Sequence, residues 1–350
     1  MRENERHDAV GGPGDHAGRG DNGRPWNMLY TDAGEFPMPD DLGRRAAAAG
    51  LRLTMVAGHD RDEIATHGSA CDGLFLYRAR VDDDLLAALP RCRLLARVGT
   101  GYDLIDVMAA ARRGVMVTYV PDFCTEEMSD QVILFVLAFA RRLPFILDAA
   151  REHRWLKISD IPSPHRLTGR TLGILGFGRT GQRTAEKARA FGLEVRVWTR
   201  TARPNLVAAL GARVASFEEA LACDYISLHV PLTMETVGLI DRAALARVKP
   251  GAVLINVARG AVVDTAALID ALRGGRLAGA ALDVVDPSPL PPSHALWDLP
   301  NVWITSHSAS LSVEALRESL TTAIDDAVAV CGGGEPTYPV PELRATPING

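Results

Sequence analysis

Short apolar runs alternate with polar, alanine-rich stretches along most of the chain, beginning after Trp26. Five early runs have the length and composition of buried parallel strands: NMLYTDA, LRLTMVAG, DGLFLYRA, RLLARVG and GVMVTYV. The stretches between them, such as DLGRRAAAAG and DDDLLAALP, have helical spacing. The pattern predicts a first β/α unit over residues 26–124.

A long helix is predicted next, over TEEMSDQVILFVLAFARRL. Thr125 can cap its start, and Glu126 and Glu127 would lie at its positive end. Pro144 lies just beyond the predicted helix. The following segment, REHRWLKISDIPSPHRLTGR, has no periodicity and two prolines, which indicates a crossing linker.

A second, more regular series of apolar runs and helical stretches then predicts six parallel strands with helices between them. The strands are TLGILGFG, LEVRVWTR, YISLHV, AVLINVA, AGAALDVV and NVWITSH. The last helical stretch, VEALRESLTTAIDDAVAVC, is expected to return to the first unit. We therefore expect two Rossmann-like, doubly wound parallel-sheet domains: a substrate domain, 26–124 completed by 308–335, and a dinucleotide-binding domain, 125–307.

The two ends of the chain are expected to lie outside these domains. Residues 1–25 contain almost no large apolar side chains, so they cannot offset the entropy of ordering, and we predict a disordered tail. This segment has no apolar centre and is not expected to be a signal peptide. A short C-terminal tail is predicted over 336–350.

Composition narrows the classes of function. A net charge of -5 and a pI near 6.0 provide no basic face for nucleic acid. The most apolar run, VILFVLAFA, is far shorter than the ~20 residues that span a bilayer. Five scattered cysteines without a C-x-x-C pair or metal-ligand spacing indicate a reduced, cytoplasmic protein without a metal site.

A G-x-G-x-x-G motif follows the first strand of the second series and opens a helix. Its glycines allow a tight turn, close approach to a pyrophosphate and close packing of helix on strand. This context makes the motif a dinucleotide site rather than an ordinary turn. The predicted turn comprises Gly176, Phe177, Gly178, Arg179, Thr180 and Gly181.

The end of the next strand bears on the choice of cofactor. An NAD site normally has an acidic residue there, which binds the ribose 2′-hydroxyl. This strand instead continues into Thr199, Arg200 and Thr201. Because Arg200 can bind a 2′-phosphate with its guanidinium group, NADP(H) is favoured and NAD(H) is the alternative. A second reading is that the arginines here are only solvated loop residues.

The order of motifs resembles that of the D-isomer-specific 2-hydroxyacid dehydrogenase family. The segments are VGTGYDLIDVMAAARRGVMV, GILGFGRTG, SLHVPLT, INVARGAVVD, GAALDVVDPSPLP and NVWITSH. The resemblance covers about residues 50–330. It implies hydride transfer between NAD(P)(H) and a 2-keto or 2-hydroxy acid, in a cleft between two domains, commonly in a homodimer.

The resemblance also implies site residues. Arg259 matches the arginine that pairs with the substrate carboxylate and polarises the keto oxygen. His307 matches the general acid/base, a role suited to a side chain whose pKa lies near working pH. Gly99 and Thr100 match the segment whose main-chain N–H groups bind the substrate carboxylate, and Arg78 lies near the family's other substrate contacts. The implied nicotinamide contacts are Asp283, with His229, Val230, Pro231, Thr236 and Ala258 around it.

One position departs from the family pattern. Members typically have a glutamate five residues after the strand aspartate, bonded to the histidine, and here that position is Ser288. Without a carboxylate to favour the charged imidazole, His307 is expected to titrate nearer the ordinary value of ~6.5. Asp286 is the nearest acid, and we interpret it as a surface residue.

Three functions fit these observations. The leading hypothesis is an NADP(H)-preferring reductase of a small 2-keto acid such as glyoxylate or hydroxypyruvate. GTGYDLID and HSASLSVEALRE also resemble the C-terminal binding protein corepressors, so a dinucleotide-binding regulator is the second. A tailoring dehydrogenase with an unusual substrate, accommodated by Ser288, is the third.

Overall fold

The computed structural model describes residues 24–201 and 203–343. The chain divides into two compact units by its internal contacts. The first consists of the described residues up to Phe123 and from Leu316 onward, and the second runs from Cys124 to Ala315. Each unit is built on its own parallel sheet. The predicted domain limits are close to these boundaries but stay a prediction.

The first unit contains a five-stranded parallel sheet in the order β2-β1-β3-β4-β5. Its strands are β1 (Trp26–Tyr30), β2 (Leu51–Met55), β3 (Gly73–Leu76), β4 (Leu94–Arg97) and β5 (Met116–Thr118). Its helices are α1 (Asp40–Ala48), α2 (Arg61–Gly68), α3 (Asp83–Ala87) and α4 (Val107–Arg112). All five predicted strands are therefore present.

Alternate residues of β1 belong to two different hydrophobic clusters in this unit. Met28 and Tyr30 pack with α1 and with the C-terminal helix, whereas Leu29 packs with α2, α3 and α4. Because successive side chains of a strand point to opposite faces, both faces of the sheet are covered.

The second unit contains a seven-stranded parallel sheet and the helices around it. Its strands are β6 (Thr171–Leu175), β7 (Glu194–Trp198), β8 (Arg213–Val214), β9 (Tyr225–Leu228), β10 (Ala252–Asn256), β11 (Leu277–Leu282) and β12 (Val302–Ile304). Its helices are α5 (Thr125–Ala140), α6 (Leu143–Arg151), α7 (Arg179–Ala190), α8 (Pro204–Ala209), α9 (Phe217–Leu221), α10 (Arg242–Arg247) and α11 (Thr265–Arg273). Helix α12 (Val313–Cys331) starts here and continues into the first unit. Short 3-10 turns occupy Ile158–Asp160 and Gly260–Val262 in the second unit and Pro341–Leu343 in the first.

The strand order is β12-β11-β10-β9-β6-β7-β8. The order reverses its direction at β6, which is the topological switch point where doubly wound sheets bind ligands. The six predicted strands are confirmed, and the two-residue edge strand β8 was missed because it is too short to show a pattern. The predicted fold class of two doubly wound parallel sheets is confirmed.

Two details of the helix after residue 124 differ from the prediction. Thr125 is the first helical residue, and the cap position is Cys124, which makes no side-chain capping bond. Pro144 does not simply follow one helix. Arg142 adopts a left-handed conformation (φ 54) that separates α5 from α6. Pro144 lies in the first turn of α6, where the missing backbone N–H has no helical partner to lose.

The predicted tails are partly corrected. Most of residues 1–25 lies outside the described residues, but Arg24 pairs with Asp72 at 2.8 Å. The predicted C-terminal tail is described up to residue 343, and this part is not a tail. Val340 is fully buried and its N–H bonds the carbonyl of Val117 in β5, because the segment supplies apolar cover to the sheet.

Among residues 24–201 and 203–343, no helix is both long and apolar enough to cross a bilayer. In the same residues, no group of three or more His, Cys, Asp or Glu side chains is placed to hold a metal ion.

Candidate active site

Two glycines of the turn after β6, Gly176 and Gly181, lie where a larger residue would collide with the backbone. Gly176 has φ +97, and a Cβ there would lie 2.7 Å from the carbonyl carbon of His229. A Cβ at Gly181 would lie 2.5 Å from the carbonyl oxygen of Gly176, so α7 begins close against the strand. A Cβ at Gly178 would meet nothing within 4 Å.

The start of α7 has the features of a pyrophosphate site. Gly178 precedes this twelve-residue helix and provides no side-chain cap for its first N–H groups. Open space beside uncapped N–H groups at the positive end of a helix fits an anionic phosphate. The other residues of the turn are the half-buried Phe177 and Thr180 and the exposed Arg179.

The end of β7 lies beside this turn, since Gly176 N–H bonds the carbonyl of Trp198 at 2.8 Å. Thr199 is half-buried, and Arg200 and Thr201 are exposed. Hydrogen bonding lowers the pKa of the Glu235 carboxyl, and the charge of Arg200 lowers it further.

His229 follows β9 and is held as a neutral side chain. Its Nε2 lies 2.9 Å from the Ser227 hydroxyl, and burial lowers the pKa of His229 to about 4. Its Nδ1 is buried with no hydrogen-bond partner in the described chain. Val230 is buried, and the Thr236 hydroxyl donates to the carbonyl of Pro231 at 2.6 Å, which closes the loop.

A second tight turn presents Arg259 after β10. The side chain of the buried Asn256 donates to the carbonyl of Arg259 at 2.9 Å and accepts from Ala258 N–H at 3.0 Å. The Arg259 guanidinium donates to the carbonyl of Ala258 at 2.8 Å. A Cβ at Gly260 would lie 2.1 Å from the carbonyl carbon of Val285, so this turn packs directly on the segment after β11.

Asp283 holds the segment that carries His307. Its carboxylate is 3% exposed and accepts from the Thr305 hydroxyl at 2.5 Å, Ser308 N–H at 2.9 Å and Ala309 N–H at 3.1 Å. His307 N–H bonds the Asp283 carbonyl at 2.9 Å. His307 is exposed and adopts φ 55, a conformation that non-glycine residues rarely adopt without such support.

The topology brings these groups to one edge of the sheet. β10, β11 and β12 are neighbours, and Arg259, Asp283 and His307 follow them in that order. The carboxyl ends of parallel strands meet at one edge, which also carries the glycine turn after β6. A cation, a buried carboxylate and an exposed imidazole therefore lie at the same edge of the sheet as the glycine turn after β6.

In the first unit, the loop after β4 is shaped by Arg97. Its guanidinium donates to the carbonyls of Gly101 at 2.8 Å and Val98 at 2.9 Å. Gly99 N–H donates to the Arg97 carbonyl at 2.9 Å, and its role as a carboxylate donor stays a prediction. Within the described residues, the amides of Thr100 and Gly101 make no hydrogen bond, and they are the available donors.

Arg78 follows β3 at the same edge of the first sheet as the loop after β4. Its guanidinium pairs with Glu35 at 2.9 Å and lies 5.6 Å from the centre of the Phe36 ring. The Arg78 side chain is therefore partly exposed and is held in place by Glu35 and Phe36.

Comparisons with known proteins identify the family of this chain. Residues 133–309, half of the chain, match the family model described as D-isomer specific 2-hydroxyacid dehydrogenase, NAD binding domain. A glyoxylate reductase of Thermococcus litoralis is 39% identical over 266 residues, which is 74% of this chain and 80% of that protein. The chain belongs to the D-isomer specific 2-hydroxyacid dehydrogenase family.

Two further relatives show the range of the family. A D-3-phosphoglycerate dehydrogenase of Mycobacterium bovis is 38% identical over 81% of this chain, but the match spans only about half, 54%, of that protein. A solved structure of an NADPH-dependent glyoxylate/hydroxypyruvate reductase from Sinorhizobium meliloti has a TM-score of 0.79 and 33% identity, and covers 91% of this chain and 98% of that one. The resemblance stated from the motifs is confirmed, and the second unit is a nicotinamide-dinucleotide-binding domain.

The departure from the family pattern lies on an exposed loop. Ser288 is exposed, and within the described residues its hydroxyl makes no hydrogen bond. Asp286, the acid nearest to Ser288 in the sequence, is exposed too, and its carbonyl accepts from the Thr265 hydroxyl at 2.9 Å.

Several residues that shape the site were not found from the sequence. They are Arg97, Gly101, Asn256, Gly260 and Thr305. Gly101 and Gly260 had a signal, because each glycine adjoins a predicted site residue. Thr305 had none, since its bond to Asp283 joins residues 22 positions apart. The bonds of Arg97 and Asn256 are local, but they depend on the conformation of the turns that follow β4 and β10.

Proposed function

We propose that this protein is an NAD(P)H-dependent reductase of small 2-keto acids, of the glyoxylate/hydroxypyruvate type, which also runs the reverse oxidation. The observation that carries the proposal is the buried Asp283 carboxylate, which holds the segment of the exposed His307 at the same edge of the sheet as Arg259. Relatives named glyoxylate reductase and glyoxylate/hydroxypyruvate reductase support the substrate class.

Each residue has a defined chemical task in this proposal. In the second unit, Arg259 grips the substrate carboxylate and stabilises the negative charge that develops on the keto oxygen. In the first unit, the amides of Thr100 and Gly101 are donors that can bind an anionic group. His307 donates a proton to the keto oxygen during reduction and accepts it during oxidation. When bound, the nicotinamide supplies or accepts the hydride.

Asp283 is a positioning residue in this scheme. Both of its oxygens already accept bonds from its own chain, so its carboxylate fixes the backbone of His307. This differs from the contact with the nicotinamide carboxamide that the family resemblance implied. The loop after β9, with Pro231 and Thr236, is assigned to the nicotinamide side.

NADP(H) is the preferred cofactor in this proposal. Residues 199–201 provide no carboxylate to repel a 2′-phosphate, and the exposed Arg200 provides a cation. The NADPH-dependent relative supports the same choice.

The direct test is loss of NADPH or NADH absorbance with glyoxylate, hydroxypyruvate and phenylpyruvate. We expect turnover of the first two with NADPH. Arg259→Met and His307→Asn should each lower kcat/KM at least about a hundredfold, whereas the exposed-site control Arg247→Met should not. No turnover of any 2-keto acid with either cofactor would refute the proposal and favour a regulatory or tailoring role.

We also propose that the protein is a homodimer. Large apolar side chains are exposed on α5, on α6 and on the segment that follows, namely Leu134, Leu143, Phe145, Leu147, Trp155 and Ile158. Trp155 is 99% exposed, which is unusual unless a partner covers it. Trp155→Glu should shift the molecular mass in sedimentation from dimer toward monomer, and an unchanged mass would argue against this face.

A further inference from the structure

The last residue of β10, Asn256, is a polar side chain buried inside the second unit. It is 1% exposed, and it lies where β10 runs into the turn that presents Arg259. A buried amide costs free energy unless its donor and its acceptor are both bonded. The partners of this amide therefore show what the residue does.

Both ends of the amide are bonded to the turn. Asn256 Oδ1 accepts from Ala258 N–H at 3.0 Å, and Nδ2 donates to the carbonyl of Arg259 at 2.9 Å. The Arg259 guanidinium donates to the carbonyl of Ala258 at 2.8 Å, and along the chain this carbonyl lies between the two groups that the amide binds. The position of the guanidinium therefore depends on a peptide segment that Asn256 holds at both ends.

These two bonds require an amide side chain. A main-chain N–H only donates and a carbonyl only accepts, so the side chain between them must supply one acceptor and one donor. An ionised aspartate has the size of asparagine but only accepts, and it would place an oxygen against the carbonyl of Arg259. An apolar side chain supplies neither group.

The main chain of Asn256 reaches the other half of the site. Its carbonyl accepts from Asp283 N–H at 2.9 Å, and the Asp283 carboxylate holds the segment of His307. A substitution of the Asn256 side chain leaves this main-chain bond in place. Loss of the amide should thus affect Arg259 and not the His307 segment.

We propose that Asn256 is a positioning residue for the reduction, and that its side-chain amide sets where the Arg259 guanidinium meets the substrate. Arg259 has to serve a carboxylate and a keto oxygen together, and a misplacement of about 1 Å costs about a hundredfold in rate. Asn256 touches no reacting atom in this scheme and acts through Arg259. This inference rests on the proposed reductase function and adds a residue to it.

Two substitutions separate the parts of this role. Asn256→Asp keeps the size and the acceptor for Ala258 N–H and removes the donor, whereas Asn256→Ala removes both. Thr171→Val is the matched control, at a buried residue that begins β6 and so lies at the opposite edge of the same sheet. The Thr171 hydroxyl likewise donates one bond, to the Asp224 carboxylate at 2.8 Å, and accepts one, from Asp224 N–H at 2.9 Å.

Steady-state kinetics with glyoxylate and NADPH give the first readout. Both Asn256 variants should lower kcat/KM about tenfold to a hundredfold, and the KM for NADPH should change far less than that for glyoxylate. Thr171→Val should lower the Tm by an amount similar to Asn256→Ala, since it also loses two buried bonds. Its kinetics should be those of the wild type.

A double-mutant cycle shows through which residue Asn256 acts. In the Arg259→Met background, Asn256→Ala should lower kcat/KM by less than about twofold, because no guanidinium is left to misplace. In the His307→Asn background, the same substitution should have its full effect. A purely structural role would give the same loss in both backgrounds. Single-turnover assays with enzyme in excess measure the low residual rates.

Three results would overturn the inference alone: wild-type kinetics of both Asn256 variants, an equal loss of activity in Thr171→Val, or an equal loss from Asn256→Ala in the two backgrounds. If Asn256→Ala does not fold, Asn256→Asp takes its place in the cycle. Absence of any 2-keto acid reduction by the wild-type protein would overturn the proposed function as well. The two failures are therefore distinguishable in one set of assays.

Discussion

Replacing Asp283 by alanine should loosen the segment that carries His307. The change leaves three donors without their acceptor: the Thr305 hydroxyl and the amides of Ser308 and Ala309. A buried donor left unsatisfied costs about 1–3 kcal/mol. Since only Ala309 is fully buried and water can reach the other two in part, about 1 kcal/mol each gives a loss of about 3 kcal/mol.

Thermal and urea unfolding would measure this loss. For a unit of this size, about 3 kcal/mol corresponds to a fall in Tm of about 6–12 °C. Thr305→Val is the matched control, because it removes one donor and leaves the carboxylate, and it should cost about 1 kcal/mol. kcat for glyoxylate should fall far more in Asp283→Ala than in the control, since His307 loses its backbone support. Wild-type stability together with wild-type kcat would refute the role assigned to Asp283.

Three further predictions concern charge. Ser288→Glu places a carboxylate at the family's usual position, so the pH at which reduction by His307 declines should rise by about one unit; an unmoved pH profile would show that this loop does not reach the histidine. Arg200→Ser should raise the KM for NADPH about tenfold to a hundredfold and leave that for NADH unchanged, and an equal change in both would contradict the assigned 2′-phosphate contact. Burial lowers the pKa of His229 to about 4, whereas an unfolded histidine titrates near ~6.5. The unfolded state therefore binds more protons between these values, so stability is full above about pH 6.5 and falls toward pH 4; from pH 7 to pH 5 the wild type should lose about 2 kcal/mol more than His229→Asn in urea unfolding, and equal losses would refute the assignment.

The fold was predictable because its strongest signals are local. Apolar runs of strand length and the glycine motif at Gly176 both depend on neighbouring residues, and both predictions agree with the structure. Boundaries set by backbone conformation were not predictable. The left-handed conformation of Arg142, which separates α5 from α6, is not indicated by any residue pattern around it.

In the candidate site, only residues that lie within recognisable sequence motifs could be predicted. Arg259 and His307 follow from motif positions, but the bonds of Asp283 to the His307 segment connect residues more than 20 positions apart. Long-range hydrogen bonds of this kind depend on strand order, which periodicity does not encode.

Helix α12 has a consequence for the order of folding during synthesis. Its buried residues Leu320, Ile324 and Ala327 complete the core that covers Met28 and Tyr30 in the first unit. A ribosome makes β1, which ends at Tyr30, 290 residues before Leu320 (320 − 30), while residues 124–315 form a continuous stretch. The part of the protein that is translated first is therefore the part whose core is closed last, and its nascent strands expose an uncovered apolar face to chaperones throughout elongation.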